Sequence, residues 1–253
     1  MTHFIRILFY CIFLLCATTS FADQGILPQA SVATDYWPPF RIKQQNDKLS
    51  GIDIDMMALI GKRMGVDFSI TRIPWPRCLL YMKSGKKDFM TGIAKTSERE
   101  KYIVYSDTPY YSCRPAFYSL KNSGFIINEY EDLKKVDVGY TRNSAYFPRF
   151  DTDSSLKKID KDSEKQLLDM LTAGRLDVII GTDCQVDYEL NLRNQQGIIV
   201  KQPYIPDYSI DLYIGASKKS RWNFRMRELN KVLRELKEEG AIKDIADKYL
   251  NKN

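Results

Sequence analysis

The side chains best suited to hold a small solute gather between Asp88 and Tyr111. Arg99 follows the polar turn Lys95–Glu98, directly after the apolar run Phe89–Ile93, and a second apolar run leads to Ser-Asp-Thr-Pro-Tyr-Tyr. A guanidinium presents a planar fork of donors that matches a carboxylate in two parallel hydrogen bonds. Polar groups just past a buried strand suit a pocket on an α/β sheet, where ligands bind outside the carboxyl ends of strands. Arg99 therefore reads either as an anchor for an anionic group or as an ordinary surface arginine. Two other segments carry comparable groups. Asp35-Tyr36-Trp37-Pro38-Pro39-Phe40 follows the candidate strand Ser31–Thr34, and its prolines force a loop. Tyr36 and Trp37 on that loop are a stacking surface for a ligand or cover for the core. In Pro74-Trp75-Pro76-Arg77, Trp75 stands between a strand and a helix, with Arg77 a second anion contact or a solvated helix residue.

Other chemistries are poorly served. The one histidine, His3, lies in an apolar leader, so the mature chain has no imidazole base or histidine metal ligand. Cys78, Cys113 and Cys184 form no close-spaced pair of the zinc or thioredoxin type. One disulfide among the three would leave one thiol over, and the pair is open. The formal charge of +6 is spread among acidic residues rather than gathered in a nucleic-acid stripe. No metal, cofactor or nucleic acid is expected.

The leader itself has Arg6, the apolar run Ile7–Cys16 and small residues at Ser20 and Ala22. That is the pattern of a secretory signal peptide cut after Ala22. Beyond it, strands and helices alternate. A helix opens at Gly51-Ile52-Asp53-Ile54-Asp55 and runs to Met64, with Met56, Leu59 and Ile60 at helical spacing and Gly65 as its stop. A strand at Val66–Ile70, a helix Cys78–Lys83 and the Phe89–Ile93 strand follow. The second half predicts strands at Val136–Tyr140, Lys157–Ile159, Asp177–Ile180 and Ile198–Val200. It predicts helices starting at Asn143, over Asp162–Ala173 and over Cys184–Leu192. The tail is an amphipathic helix, Arg225–Glu239, and a short last helix, Ala241–Tyr249. Alternation of this kind implies α/β lobes with mainly parallel sheets. Extended runs at Cys113–Leu120 and Ser209–Ala216 would join two lobes and leave a cleft between them, the geometry of hinge closure.

In this order the motifs resemble the family 3 extracellular solute-binding proteins over almost all of residues 29–250. They are Trp37-x-Pro39-Phe40, Gly51-x-Asp53-Ile54-Asp55, Gly85-Lys86-x-Asp88, Thr96-x-x-Arg99, Tyr105-Ser106-x-x-Pro109-Tyr110, Gly174-Arg175-x-Asp177 and Gly240-x-Ile242. The resemblance implies a type II periplasmic-binding-protein fold, α/β and two-lobed, with two hinge strands. It implies a lobe of residues 23–112 plus 215–253, and a second lobe of 113–214 that includes the hinge strands. It implies that Trp37 stacks on the ligand, that Arg99 binds its carboxylate, and that Thr96 and the backbone near Ala94 assist. The turn Gly139–Ser144, with Asn143 in place of a second glycine, would offer amide donors at a helix N-terminus. Where such receptors carry an aspartate for the ligand ammonium, this chain has Thr182, with Asp183 one residue later. Asp35, Tyr36, Trp75, Arg77, Asn143 and Ser144 complete the expected contacts, and Arg77 and Arg99 with Lys95 nearby would suit a more anionic ligand.

The resemblance thus implies a monomeric periplasmic protein that captures a small polar solute, an amino acid or related carboxylate. It would deliver that solute to an inner-membrane ABC permease or a sensor protein. An alternative is a dehydratase acting on cyclohexadienyl acids on the same scaffold, with Asp183 or Asp35 as the acid.

Overall fold

The structure is a computed structural model that describes residues 28–45 and 48–250. The expected signal peptide lies outside the described residues. The first half builds β1 (Gln29–Thr34), the hairpin β2 (Ile42–Lys43) and β3 (Leu49–Ser50), α1 (Ile52–Met64), β4 (Asp67–Arg72) and α2 (Trp75–Ser84). It continues through β5 (Phe89–Ile93), α3 (Ser97–Glu100), β6 (Ile103–Tyr105) and β7 (Tyr111–Cys113). Helix α1 buries Met56, Met57 and Ile60 and stops at Gly65, whose φ of 63° closes the last turn without a Cβ penalty.

The middle of the chain is a second α/β unit. It comprises β8 (Pro115–Leu120), a 3-10 turn, β9 (Val138–Thr141), α4 (Pro148–Thr152), β10 (Lys158–Lys161), α5 (Glu164–Thr172), β11 (Val178–Thr182), α6 (Asp183–Leu192) and β12 (Ile199–Lys201). Strand β13 (Ile210–Ser217) then returns to the first unit, followed by α7 (Met226–Glu238) and α8 (Ala241–Leu250). Helix α7 turns Leu229, Leu233 and Leu236 inward at 3-4 spacing, and all three are fully buried.

Two mixed sheets result, ordered β4-β1-β5-β13-β6 and β10-β9-β11-β8-β12. Each has three parallel strands joined by helices, and each then continues in antiparallel pairings. The expectation of mainly parallel sheets therefore holds for only half of each. The reason is the connection: β8 and β13 carry the chain between the sheets and enter them from the hinge side, against the direction of the βαβ strands. Strand β7 pairs antiparallel with the start of β13, Cys113 opposite Ile210, so the two crossings lie side by side. Two lobes flank this double-stranded hinge.

One helix start differs from expectation. The segment after β9 is a turn, and α4 begins only at Pro148. Asn143 has φ of 60°, a left-handed conformation that breaks helix continuity. Pro148 has the fixed φ suited to a first helical turn. The Ser144 amide is already bonded to the Thr141 carbonyl at 3.0 Å. No helix N-terminus therefore offers free amides at Asn143–Ser144.

Candidate ligand-binding cleft

A cavity lies between the lobes and encloses about 630 Å³ of space free of protein atoms, its open mouth included. From the first lobe it is lined by Asp35, Tyr36, Trp37, Arg41, Trp75, Gly92, Ala94 and Arg99. From the second it is lined by Thr141, Ser144, Tyr146, Glu164 and Thr182, and the hinge strand β13 adds Ile210 and Leu212.

Arg99 is fixed from below by local structure. Thr96 caps α3, and its hydroxyl accepts from the Arg99 amide at 3.2 Å. The guanidinium donates through Nη1 to the Ala94 carbonyl at 2.8 Å and through Nη2 to the Asn143 carbonyl at 2.7 Å. Arg99 is 5% exposed, lies 5.5 Å over the Trp75 ring, and forms no ion pair among the described residues. Burial pulls its pKa down. A cation held this way, hydrogen-bonded only to carbonyls and with the Asp151 charge near it but unpaired, is a site for a carboxylate.

Asp35 ends β1 and organises the loop that follows. Its carboxylate accepts from Arg72 Nε at 2.9 Å, from the Tyr36 amide at 2.8 Å and from the Trp75 amide at 2.8 Å. One side chain thus ties the Tyr36-Trp37 loop to the start of α2 and sets both tryptophans at the cleft. Trp37 stacks on Phe40, with centroids 4.7 Å apart. Arg41 stands 5.0 Å beneath the Trp37 ring and is itself 2% exposed. It pairs with Asp53 at 2.5 Å, and Asp53 also accepts from the Tyr110 hydroxyl at 2.6 Å. Asp53, in the first turn of α1, is the buried counter-charge under the cleft floor. Gly92 makes room for it, because a Cβ there would meet Arg41 Nη1 at 2.1 Å.

The second-lobe wall is rich in polar atoms without partners. The Thr141 and Thr182 hydroxyls are buried and make no hydrogen bond among the described residues, and nor does the Trp75 indole nitrogen opposite. Glu164, the first residue of α5, is partly buried and faces the cavity. Burial pushes its carboxyl pKa up, against downward pulls from the Thr141 hydroxyl and the Arg41 charge, and the Asp35 charge raises it further.

Of the residues expected at the site, the cavity brings together Asp35, Tyr36, Trp37, Trp75, Ala94, Arg99, Ser144 and Thr182. Thr96 and Asn143 line an adjoining groove with Arg99 and Ser144. Arg77 is exposed and lines neither. Asp183 faces the backbone: it accepts from the Arg114 amide at 2.9 Å and the Cys184 amide at 2.7 Å. Next to it, Cys184 forms a disulfide with Cys113, leaving Cys78 as the buried free thiol. Arg41, Thr141, Tyr146 and Glu164 were not anticipated. Ser163-Glu164 is legible as a helix start, but only the fold turns that start toward the cleft.

Comparison with known proteins bears on the whole described chain. The model of the bacterial extracellular solute-binding proteins, family 3, matches residues 30–252. The ABC transporter arginine-binding protein 1 of Escherichia coli (strain K12) is 24% identical over 215 residues, 84% of this chain and 86% of that protein. The L-cystine-binding protein TcyA of Bacillus subtilis (strain 168) is 23% identical, over 92% of this chain and 84% of that one. Among solved structures, an ancestral arginine-binding protein bound to arginine superposes with a TM-score of 0.77 at 26% identity, covering 87% of this chain and 97% of that one.

Proposed function

This chain belongs to the bacterial extracellular solute-binding proteins, family 3, and on that premise we propose that it captures a small amino acid in the cleft between its lobes. It is a binding protein rather than an enzyme, in line with its relatives. The observation that carries the reading is Arg99, a buried cation at the cleft whose partners are carbonyl oxygens alone. The carboxylate of the solute takes the two-pronged hydrogen bond that Arg99 lacks, contributing about 1.5–3 kcal/mol. Trp37 and Trp75 bury the apolar part of the solute. Thr96 holds the Arg99 backbone, and Asn143 and Ser144 close over it from the second lobe.

Lobe closure about the paired hinge strands β7 and β13 retains the solute, with residues 23–112 and 215–253 moving against 113–214. The mature chain works in the periplasm after cleavage behind Ala22 and presents the closed form to an inner-membrane ABC permease. No described helix is long and apolar enough to cross a membrane. A thermal-shift panel of amino acids, dicarboxylates and polyamines on mature protein stripped of ligand tests the reading. At least one α-amino acid raises the melting temperature; a panel in which none does contradicts it.

A further inference from the structure

Most charges at the cleft are neutralised by neighbours in contact. Arg41 pairs with Asp53 at 2.5 Å, Asp35 with Arg72 at 2.9 Å, and Asp162 with Arg142 at 3.0 Å. Two are not. Arg99 on the first lobe has only carbonyl partners, and Glu164 on the second forms no ion pair among the described residues. The main cavity therefore offers one cation and one carboxylate without an ion-pair partner, on opposite walls; Asp151, in the adjoining groove, acts on Arg99 through its charge without pairing with it. A carboxylate left partly buried without a counter-charge is costly, and a cationic ligand group would reduce that cost.

The uncharged polar groups follow the same division. Beside Arg99 stands the Trp75 indole nitrogen, which can only donate. On the same wall as Glu164 are the Thr141 and Thr182 hydroxyls, both buried and able to accept; Thr141 is near enough to draw the Glu164 carboxyl pKa down, and Thr182 has no partner among the described residues. One wall is arranged to donate to an anion and the other to accept from a cation. Asp183 does not belong to this second wall: it does not line the cavity, and its Oδ1 is turned to the Arg114 and Cys184 amides.

We propose that Glu164, flanked by Thr141 and Thr182, is the binding group for a cationic nitrogen of the ligand. The ligand is then a compound with an ammonium or guanidinium group as well as a carboxylate, and not a simple mono- or dicarboxylate. This rests on the reading of the cleft as an amino-acid site, and it assigns the specificity to a residue on α5 rather than to the end of β11. Because the two charges sit on different lobes, only a ligand that carries both spans the cleft and favours closure.

The test uses mature protein stripped of ligand, as wild type, Glu164→Gln and Arg99→Gln. The probes are the twenty L-amino acids, the dicarboxylates succinate and glutarate, and the carboxylate-free cations agmatine, putrescine and spermidine. Binding is found by thermal shift and quantified by calorimetry. The expected result is that wild-type hits all carry both a cationic nitrogen and a carboxylate and that Glu164→Gln weakens them ten-fold or more, with the ligand-free variant folded and no less stable than wild type. Hits confined to the carboxylate-free cations overturn the proposal. Cation-bearing hits bound equally by Glu164→Gln overturn the proposal and leave the amino-acid reading standing. Hits confined to the dicarboxylates overturn it too. No hit at all overturns both. Hits lost in Glu164→Gln but kept in Arg99→Gln uphold the proposal and remove Arg99 as the anchor.

Discussion

The Arg99 guanidinium reaches across the cleft to the Asn143 carbonyl, 2.7 Å from Nη2, while its Nη1 holds the Ala94 carbonyl of its own lobe. The residue proposed to take the ligand carboxylate thus also links the two lobes. Its own backbone is held by the Thr96 cap, so the donor fork is aimed before any ligand arrives.

The contact with Asn143 uses the main chain, and its φ of 60° is what presents that carbonyl. Asn143→Gly, which accepts this conformation freely, is expected to keep near wild-type affinity. Asn143→Val is expected to cost about 1–2 kcal/mol of stability in the left-handed region and to weaken binding. Chemical denaturation and calorimetry on the two variants check this.

Under the cleft floor, Arg41 and Asp53 are 2% and 0% exposed. Removing one member leaves the other charged, dry and unpaired, so Asp53→Ala is expected to lose about 3–5 kcal/mol in urea unfolding. Tyr110→Phe, which deletes one donor to Asp53, is expected to lose about 1–3 kcal/mol. Gly92→Ala should also destabilise, because its Cβ would strike Arg41 and its φ is 65°.

These residues also mark how far the sequence could be read. Helix α1 and strand β5 were legible because their apolar spacing and glycine stops are local signals. Arg99, Trp37, Trp75 and Asp35 were legible because they sit at strand ends, where clefts form. Arg41 and Asp53 were not, because their burial arises when the Tyr36-Trp37 loop folds over α1. The turn after β9 was misread as a helix start because the left-handed state of Asn143 leaves no periodic signal. Glu164 was hidden because an acidic residue after a serine cap suits any helix start, and the direction that start faces depends on how β9, β10 and β11 assemble.

The disulfide between Cys113 and Cys184 ties the end of β7 to the start of α6, across 71 residues. Closing a loop of that length restricts the unfolded chain by up to about 4 kcal/mol. The double variant Cys113→Ser/Cys184→Ser is expected to unfold at lower denaturant, and reductant should lower the wild-type midpoint but not that of the variant. Cys78 remains protonated at neutral pH, its thiol pushed up to about 12 by burial, so thiol reagents should label the native wild type poorly.

Glu164 makes a prediction with a defined sign. Its carboxyl pKa is raised in the folded protein, first by burial and also by Asp35, and lowered in part by Thr141 and Arg41; it in turn raises that of Tyr146. A carboxyl with a raised folded pKa favours the unfolded state once ionised. The penalty is absent below the ordinary glutamate range and grows as pH rises from that range through the raised folded value. Ligand-free Glu164→Gln should therefore be more stable than wild type at neutral pH, and the difference should vanish in acid. Melting curves of both proteins across pH measure it. No gain at neutral pH would mean that this carboxylate is not desolvated.

The most direct test of the account is the ligand-induced melting shift of Arg99→Ala, measured with whichever amino acid stabilises the mature wild-type protein most. The expected result is a folded variant whose melting temperature no longer responds to that amino acid at concentrations that saturate wild type. An undiminished shift in Arg99→Ala would contradict the assignment of this cleft, and of this arginine, to the ligand carboxylate.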